Sequence, residues 1–458
     1  MRDRNARSQQ RQRRRDVQGH AQETHAVDFF NVLTSSQMLA TTEAHLPKHR
    51  ERLYPPTVTL SMFMRQTLEE DASCQKAVNG WAAQRAADGL SPMSVRTGAY
   101  CRARQRLPLA MVQELARETA RQLHELAMPA WRWRGRSVKL VDGTGISMPD
   151  TAPSQSRFPQ PSSQAPGVGS PLACLGVVIC LATGAVLQAA IGAHSGKGSG
   201  ELALFGDLQT AFEAGDVMLA DALYCNYFLI ASLMACEVDV VMAQHGSRKT
   251  DFRRGKSLGK CDHIVKWIKP ARPSWMTRDE YQSFPKELTL RESRRNQRVL
   301  VTTMINPRKL SQDDLSQLYG KRWNVELDLR NIKTTMGMDV LHCQTPEMNE
   351  KELWVHLLAY NVIRLLMAQA ASHAGVDPRS LSFKHTVQLW SEWVARGLTT
   401  ALDRALLFTL IAQSEVANRP GRIEPRMRKR RPKSYPWLKK PRNSARDHVR
   451  RSGHAPRA

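Results

Sequence analysis

Long apolar segments are missing from this chain of 458 residues. No stretch of about 18 apolar residues occurs, so we expect no membrane-spanning helix and no membrane partner. The first 16 residues are rich in arginine and contain no apolar stretch, which argues against a secretory signal. An arginine-rich organelle presequence is a weaker alternative, because Asp3 and Asp16 are unusual in such segments. We therefore expect a cytoplasmic protein.

Clustered cysteines are also missing. The eight cysteines are scattered, without a CxxC pair or a group of cysteines and histidines, which argues against a zinc site. Most of them stand in apolar segments, which is typical of buried free thiols in a reducing compartment. They are Cys74, Cys101, Cys174, Cys180, Cys225, Cys236, Cys261 and Cys343.

Acidic residues are few relative to basic ones. The 42 Asp and Glu residues stand against 67 Lys and Arg residues, which gives a net charge of +25. Such an excess favours a polyanionic partner, because basic side chains attract phosphates and release their condensed counterions. A membrane surface and a ribosome-like RNA are the alternatives that charge alone leaves open. The hydrophobic content of 41% is ordinary for a folded protein.

Changes of composition divide the chain into five parts. The length is sufficient for two or three domains. We expect a basic disordered arm at 1–26, a helical domain at 27–130, an α/β domain at 136–345 with a basic insertion at 243–297, a helical region at 346–418 and a basic disordered tail at 419–458.

Four arginines lie close together in the helical domain. Arg96, Arg102, Arg104 and Arg106 stand between two segments whose apolar residues recur at three- and four-residue steps, which is typical of helices. A basic cluster of this kind favours a domain that docks on DNA. The alternative is that the arginines coat a solvated helix.

Short β-prone segments that end in aspartates mark the α/β domain. The first ends at Asp142 and a later one at Asp221. Two apolar segments joined at Thr183-Gly184 predict a hairpin between them. Strand-like and helical segments follow in an order that predicts an α/β layer with a mixed sheet. The strand-like segments outside the hairpin are 137–142, 216–221, 237–242 and, after the insertion, 299–305.

A long helix predicted at 311–337 carries a row of polar side chains. At about 100° per residue, Tyr319, Arg322, Glu326 and Lys333 fall on one narrow stripe of this helix. An apolar stripe lies about 80° away, so the helix buries one face and directs a carboxylate along its border. The apolar stripe consists of Leu318, Val325, Leu329, Ile332 and Met336.

Asp142, Asp221 and Glu326 together can supply the converging carboxylates that metal-dependent cleavage of a phosphodiester needs. Two cations held by converging carboxylates activate the attacking oxygen and stabilise the leaving one. Mg²⁺ prefers such oxygen ligands. We therefore predict that these three catalytic residues hold two Mg²⁺ ions, for which Mn²⁺ can substitute.

The spacing of the polar row resembles a known signature. Tyr319, two residues, Arg322, three residues, Glu326, six residues and Lys333 match the YREK signature of the insertion-sequence-four family of bacterial transposases. The resemblance covers roughly residues 30–410. Other similar segments are LVDGTGISMPD at 140–150, GDVMLADALYCNY at 215–227 and TGAYCRARQRLP at 97–108.

The resemblance implies a ribonuclease-H-like catalytic core with the three carboxylates as DDE metal ligands and a β-rich insertion before the glutamate. It implies cut-and-paste transposition by cleavage and strand transfer, with a DNA hairpin intermediate in studied relatives. The implied partners are transposon-end inverted-repeat DNA and target DNA, bound by a homodimer on the bacterial nucleoid. In the family pattern, the residues corresponding to Tyr319, Arg322 and Lys333 contact phosphates near the cleaved end.

Two tryptophans of the insertion, Trp267 and Trp275, stand among lysines and arginines. By analogy with the family's hairpin chemistry, each is a candidate DNA-binding platform for a flipped base, because an aromatic face replaces the lost stacking. The alternative is that each belongs to a local hydrophobic core.

Several residues have structural alternatives. Asp142 precedes a glycine and can cap a turn, and Arg322 and Lys333 can form solvated ion pairs with Glu326. Asp328 lies about 160° from Glu326 around the helix, so we assign it no share in the site.

Function also has alternatives. A catalytically silent DNA-binding repressor derived from a transposase would keep the fold without the reaction, and a distinct metal-dependent nuclease would cleave without joining. Covalent catalysis by Tyr319 is rejected, since no Arg and His set for tyrosine chemistry accompanies it.

Overall fold

The computed structural model describes residues 41, 44–45, 53–196, 198–295, 297–396, 401–416 and 438–453. The arm predicted at 1–26, most of residues 27–52 and residues 417–437 of the C-terminal part lie outside the described residues.

Four helices form the described N-terminal region: α1 (Pro56–Leu68), α2 (Cys74–Ala87), α3 (Gly98–Arg106) and α4 (Leu109–Glu125). Proline at the first position starts α1, where a missing backbone N–H costs nothing. The hydroxyl of Ser73 accepts a hydrogen bond from the backbone N–H of Lys76 and caps α2. The helical pattern read from the sequence is therefore present in the described part of this region.

Nine strands form one sheet: β1 (Val138–Ser147), β2 (Leu172–Cys180), β3 (Val186–Ala193), β4 (Val217–Ala220), β5 (Asp239–Ala243), β6 (Lys256–Gly259), β7 (Asp262–Ile268), β8 (Glu287–Arg295) and β9 (Arg298–Thr302). Their order is β3-β2-β1-β4-β5-β9-β8-β7-β6. The first three strands pair antiparallel, and β4 and β5 continue parallel to β1. This arrangement confirms the predicted α/β class with a ribonuclease-H-like mixed-sheet core.

Strand β1 is longer than the sequence predicts. The prediction ends it at Asp142, but antiparallel pairing with β2 continues from Asp142 opposite Val177 to Ser147 opposite Leu172. The pairing with β4 stops earlier, at Leu140. Asp142 therefore lies inside a strand, at the point where that strand loses its neighbour on one side.

The insertion at 243–297 extends the same sheet. Its strands β6, β7 and β8 form an antiparallel ladder, and β8 pairs with β9, which pairs with β5. A short helix, α8 (Arg278–Ser283), connects β7 to β8 and carries a capping box at Thr277 and Glu280. The insertion is thus β-rich, as the resemblance implies, and is continuous with the core in its hydrogen bonding.

Helices cover both faces of the sheet. The short helices between strands are α5 (Ala152–Arg157), α6 (Glu201–Leu208) and α7 (Tyr227–Ala235). Successive side chains of a strand point to opposite faces. Val141 accordingly packs in one hydrophobic cluster with Leu204 and Phe205 of α6, whereas Leu140 and Ile146 belong to the cluster on the other face.

The helix predicted at 311–337 is divided in three. The segments are α9 (Gln312–Gly320), α10 (Trp323–Arg330) and a π-helical turn (Asn331–Thr335). The first division follows Gly320, a residue type that weakens a helix interior, and the second is the change to π-helical geometry at Asn331. The predicted apolar stripe is buried along all three segments, with Leu318, Val325 and Ile332 inaccessible to solvent.

The C-terminal helices are α11 (Pro346–Ala374), α12 (Phe383–Ala395), α13 (Ala401–Ala412) and α14 (Arg442–Ser452). By length and composition α11 could cross a membrane, but 89% of its most apolar window is buried inside the protein. It packs against α4, as the central helix of a folded core does. Helix α14 lies in the tail predicted to be disordered, so that prediction is wrong for this segment.

Candidate active site

Asp142 and Asp221 lie beside each other at the carboxyl end of β4, where the pairing of β1 with β4 has stopped. The parallel register pairs Leu140 with Leu219, so the residues two positions further along are neighbours. One carboxylate oxygen of Asp142 accepts a hydrogen bond from the backbone N–H of Gly143 at 2.9 Å. An oxygen of Asp221, just after β4, accepts one from the N–H of Leu223 at 2.8 Å. Strand pairing thus brings the two carboxylates together.

Arg322 connects the third carboxylate to the first. Its Nη2 donates to Oε1 of Glu326, one helical turn away, at 2.7 Å, and its Nη1 donates to Oδ2 of Asp142 at 3.4 Å. The side chains of Arg322 and Asp142 are 15% and 16% exposed, and that of Glu326 is 37% exposed. Arg322, which immediately precedes α10, and Glu326, in its first turn, therefore face β1 at Asp142.

Burial and negative charge act together on Asp142. Burial raises the pKa of its carboxyl group to about 6, and the charges of Asp221 and Glu326 raise this pKa as well. The Gly143 N–H and the guanidinium of Arg322 act in the opposite direction. The site thus concentrates negative charge where little water is present to screen it.

A divalent cation fits the chemistry of these side chains. Their oxygens are the ligands that Mg²⁺ prefers, and a bound cation would neutralise the charges of Asp221 and Glu326, which add to the effect of burial on the pKa of Asp142. Within the described ranges, no three His, Cys, Asp or Glu side chains converge closely enough to hold one ion. The guanidinium of Arg322 lies between Asp142 and Glu326, so closure around an ion requires Arg322 to release at least one of them.

The other two residues of the polar row are firmly held. Lys333 lies in the π-helical turn, and its Nζ donates to Oγ1 of Thr144 at 3.0 Å and to the carbonyl of Gly145 at 2.9 Å. Tyr319 is only 7% exposed, and the guanidinium of Arg298 lies 5.7 Å from its ring centre. The row therefore begins in the hydrophobic core and ends against β1, beyond Asp142.

The two tryptophans have opposite environments. Trp267 is 2% exposed, its Nε1 donates to Glu292 at 2.7 Å, and the guanidinium of Arg248 covers its ring at 3.6 Å. Neither face is free for a base, so the prediction that Trp267 offers a stacking platform is wrong in this structure. Trp275 is 74% exposed and keeps that candidate role.

Asp328 has a structural role. It is completely buried, and its carboxylate accepts hydrogen bonds from Arg364 and Arg379. These arginines belong to α11 and to the segment that follows it, so the ion pairs tie α10 to the C-terminal region. The sequence-based interpretation that Asp328 faces away from Glu326 agrees with this position.

The arginine cluster of the helical region is divided by burial. Arg96, Arg102 and Arg106 are exposed, but Arg104 is only 5% exposed. Its guanidinium lies 3.9 Å from the ring centre of Phe63 and donates to sulfur atoms of two cysteines. Arg104 therefore stabilises the core, and three of the four arginines remain available for DNA.

Sequence reasoning missed a fourth carboxylate near the site. Glu201 is the first residue of α6, and its side chain lies over the backbone of Gly143, next to Asp142. Burial raises the pKa of Glu201, and the charges of Asp142 and Asp221 raise it further. An acidic residue in the first turn of a helix is common, so the sequence carried no signal that would distinguish it.

The chain was compared with protein families, with known proteins and with solved structures. The family model described as a transposase DDE domain matches residues 133–362, about half of the chain. The chain is 29% identical over 367 residues to the transposase InsG for insertion sequence element IS4 from Escherichia coli (strain K12), covering 76% of this chain and 79% of that protein. A cryo-EM structure of the piggyBac transposase synaptic complex with hairpin DNA is 11% identical, with a TM-score of 0.44 and 86% of each chain covered.

The family model includes both strands that carry the aspartates and the helix that carries the glutamate. The chain therefore belongs to the DDE transposases of the insertion-sequence-four type, enzymes that cut and join DNA during transposition.

Proposed function

We propose that Asp142, Asp221 and Glu326 are the catalytic residues of this transposase and that they hold two Mg²⁺ ions, for which Mn²⁺ can substitute. The observation that supports this most strongly is the double contact of Arg322 with Asp142 and Glu326, which joins β1 to α10. When bound, the cations would activate the attacking oxygen and stabilise the leaving oxygen.

Arg322 and Lys333 position DNA in this proposal. When Asp142 and Glu326 turn to a cation, the guanidinium of Arg322 loses carboxylate partners and can donate to a phosphate in bidentate fashion. The ammonium group of Lys333 has three N–H donors and donates two of them to β1. The third is available for a phosphate. The phenol of Tyr319 is a weaker candidate, since it is mostly buried.

The partners are transposon-end inverted-repeat DNA and target DNA. The excess of basic residues and the exposed Arg96, Arg102 and Arg106 favour binding of a polyanion. Attack of water on the phosphodiester at the transposon end frees a 3′ hydroxyl. This hydroxyl then attacks, in line, a phosphodiester of the opposite strand or of the target, and the 3′ oxygen of the attacked strand leaves. We infer a homodimer that joins two ends, and a place of action on the bacterial nucleoid in the cytoplasm, without a membrane partner.

A supercoiled-plasmid assay with cognate end DNA and Mg²⁺ tests the catalytic set. We expect Asp221→Asn to lose nicking by a factor of about 100 or more, because one ligand of the reacting centre is removed. Asp207→Asn is the matched control, since Asp207 is an exposed carboxylate of α6. Equal nicking by wild type and Asp221→Asn would refute the catalytic assignment.

Strand transfer is tested separately with a pre-cleaved 3′ end and target DNA. Joining is expected from the wild type and not from Asp221→Asn. Cleavage without joining would identify a metal-dependent nuclease activity, and binding of end DNA with neither reaction would identify the silent repressor, which the family relationship does not favour.

A further inference from the structure

Glu201 reaches the active site from the face of the sheet opposite Glu326. The chain leaves β3 and enters α6 through Gly200, whose φ of +92° lies in the left-handed region where glycine is favoured. Glu201 follows at once and lies above Gly143. A Cβ atom on Gly143 would lie 2.3 Å from Cδ and 2.6 Å from Oε1 of Glu201. The absence of a side chain at residue 143 is therefore what lets this carboxylate approach β1.

Glu201 approaches β1 at the point where this strand continues beside β2 but has lost β4 as a neighbour. Side chains alternate along β1, so Asp142 faces α10 and residue 143 faces α6. At this point β1 no longer pairs with β4. Among the described residues, no strand pairs with β1 on that side at Asp142 or Gly143, so the carboxylate above Gly143 lies beside the same gap as Asp142 and Asp221. The two helices on opposite faces thus each direct one glutamate to the same edge.

Tyr224 holds the second carboxylate oxygen of Glu201. The Tyr224 hydroxyl lies 3.4 Å from Oε2 of Glu201, and its ring is completely buried. Tyr224 comes three residues after Asp221, so the loop that positions this aspartate also positions Glu201. In the described part of the chain, Glu201 has no ion pair with a lysine or arginine, which a partly buried carboxylate would ordinarily need.

We propose that Glu201 is a fourth carboxylate of the active site, which helps to hold the cation between Asp142 and Asp221, either directly or through an ordered water. This inference rests on the proposed metal site. It distinguishes Glu201 from an ordinary acid in a first helical turn, which stabilises its own helix by interaction with the backbone dipole.

The two roles predict opposite effects on stability. Removing the charge of a helix-stabilising glutamate lowers the melting temperature. Removing the charge of Glu201 in a crowded carboxylate site relieves its repulsion from Asp142 and Asp221 and leaves the metal-free protein as stable as before, or more stable.

Mn²⁺ binding to the purified full-length protein provides the test, with free Mn²⁺ measured by electron paramagnetic resonance. We expect Glu201→Gln to weaken Mn²⁺ binding by about 10-fold or more, in the range found for residues that support a metal site. Asp207→Asn, on the same helix, should bind as wild type does. Tyr224→Phe, which keeps the ring but removes the hydroxyl, should give a smaller loss in the same direction.

Melting temperature in EDTA is the second measurement, and Asp221→Asn is included throughout. Weaker Mn²⁺ binding by Glu201→Gln with an unchanged or higher melting temperature supports the proposal. Wild-type binding by Glu201→Gln, with a loss in Asp221→Asn, overturns the role of Glu201 and leaves the proposed catalytic set intact. Wild-type binding by both variants refutes the metal site itself. A fall in the melting temperature of Glu201→Gln identifies a structural glutamate and also overturns the proposal.

Discussion

At the scale of single residues, the carboxylates in and near the candidate site differ from the buried Asp328 in whether they have arginine partners of their own. Burial and the charges of Asp221 and Glu326 raise the pKa of Asp142, and burial and the charges of Asp142 and Asp221 raise the pKa of Glu201; Arg322 is the cation next to Asp142. Asp328 instead has two arginines of its own and is completely buried. In our proposal the carboxylates in and near the candidate site bind a metal ion, whereas Asp328 stabilises the fold, so substitutions in the two groups should have different consequences.

Removal of the charge of Asp328 should be strongly destabilising. Asp328→Asn leaves Arg364 and Arg379 without their carboxylate in a buried place, which costs about 3–5 kcal/mol of unfolding free energy. Urea unfolding followed by circular dichroism measures this. The control is Glu392→Gln, which breaks the exposed ion pair with Arg396 and should cost under about 1 kcal/mol. Equal losses in the two variants would contradict the structural role of Asp328.

At the scale of elements, the insertion is held to the core by continuous strand pairing. Its ladder β6-β7-β8 joins β5 through β9. Trp267 belongs to this ladder and packs in the same hydrophobic cluster as Leu288 and Leu290 of β8. Because β8 pairs with β7 beside it, Trp267 is buried within this ladder and not exposed to DNA. Trp275, between β7 and α8, is outside that constraint.

The two tryptophans should therefore differ in what their loss affects. Trp267→Ala should lower the unfolding free energy by about 3–5 kcal/mol, because it empties a packed site. Trp275→Ala should change stability by less than about 0.5 kcal/mol. If Trp275 stacks on a base, its loss should weaken binding of end DNA by about 1–3 kcal/mol, measured by fluorescence anisotropy. Unchanged DNA affinity would remove Trp275 from the candidate site.

At the scale of the whole molecule, positive charge is spread well beyond the catalytic domain. The net charge of +25 includes many lysines and arginines after residue 418, and the basic helix α14 lies among them. No residue of α14 is buried. Its charges are available for nonspecific attraction of DNA phosphates, at a distance from the reacting centre in the sequence.

Removal of residues 419–458 should therefore change DNA binding more than catalysis. For every DNA phosphate that the shortened protein no longer neutralises, the slope of log affinity against log salt should become shallower by about 0.9. Cleavage of cognate end DNA at low salt should persist, because Asp142, Asp221 and Glu326 remain. Titrations at several salt concentrations measure the slope. An unchanged slope would show that the tail takes no part in DNA binding.

Local patterns in the sequence were sufficient for much of the fold. Two apolar segments joined at Thr183-Gly184 located the hairpin of β2 and β3, and a stripe with helical spacing identified the buried face of α9 and α10. The polar row from Tyr319 to Lys333 was predictable for the same reason, since residues three and four apart share one face of a helix. These features depend on neighbours within a few residues, which the sequence displays directly.

Other features depend on pairings between distant segments. The extension of β1 past Asp142 exists because β2 continues to pair with it, and the burial of Trp267 exists because β8 lies beside β7. Neither pairing is visible in the amino acids of the strand concerned. The same holds for Arg104, whose burial depends on Phe63 and on cysteines far along the chain.

The sequence by itself determined the class of the core and the family, and it predicted the three carboxylates of the proposed site, because residue type and spacing within single elements carry that information. Only the tertiary structure decided that β1 runs on past Asp142, that Arg322 lies between Asp142 and Glu326, and that Glu201 joins them from the opposite face. The physical reason is that these positions are set by the packing of strands and helices, which brings together residues far apart in the chain.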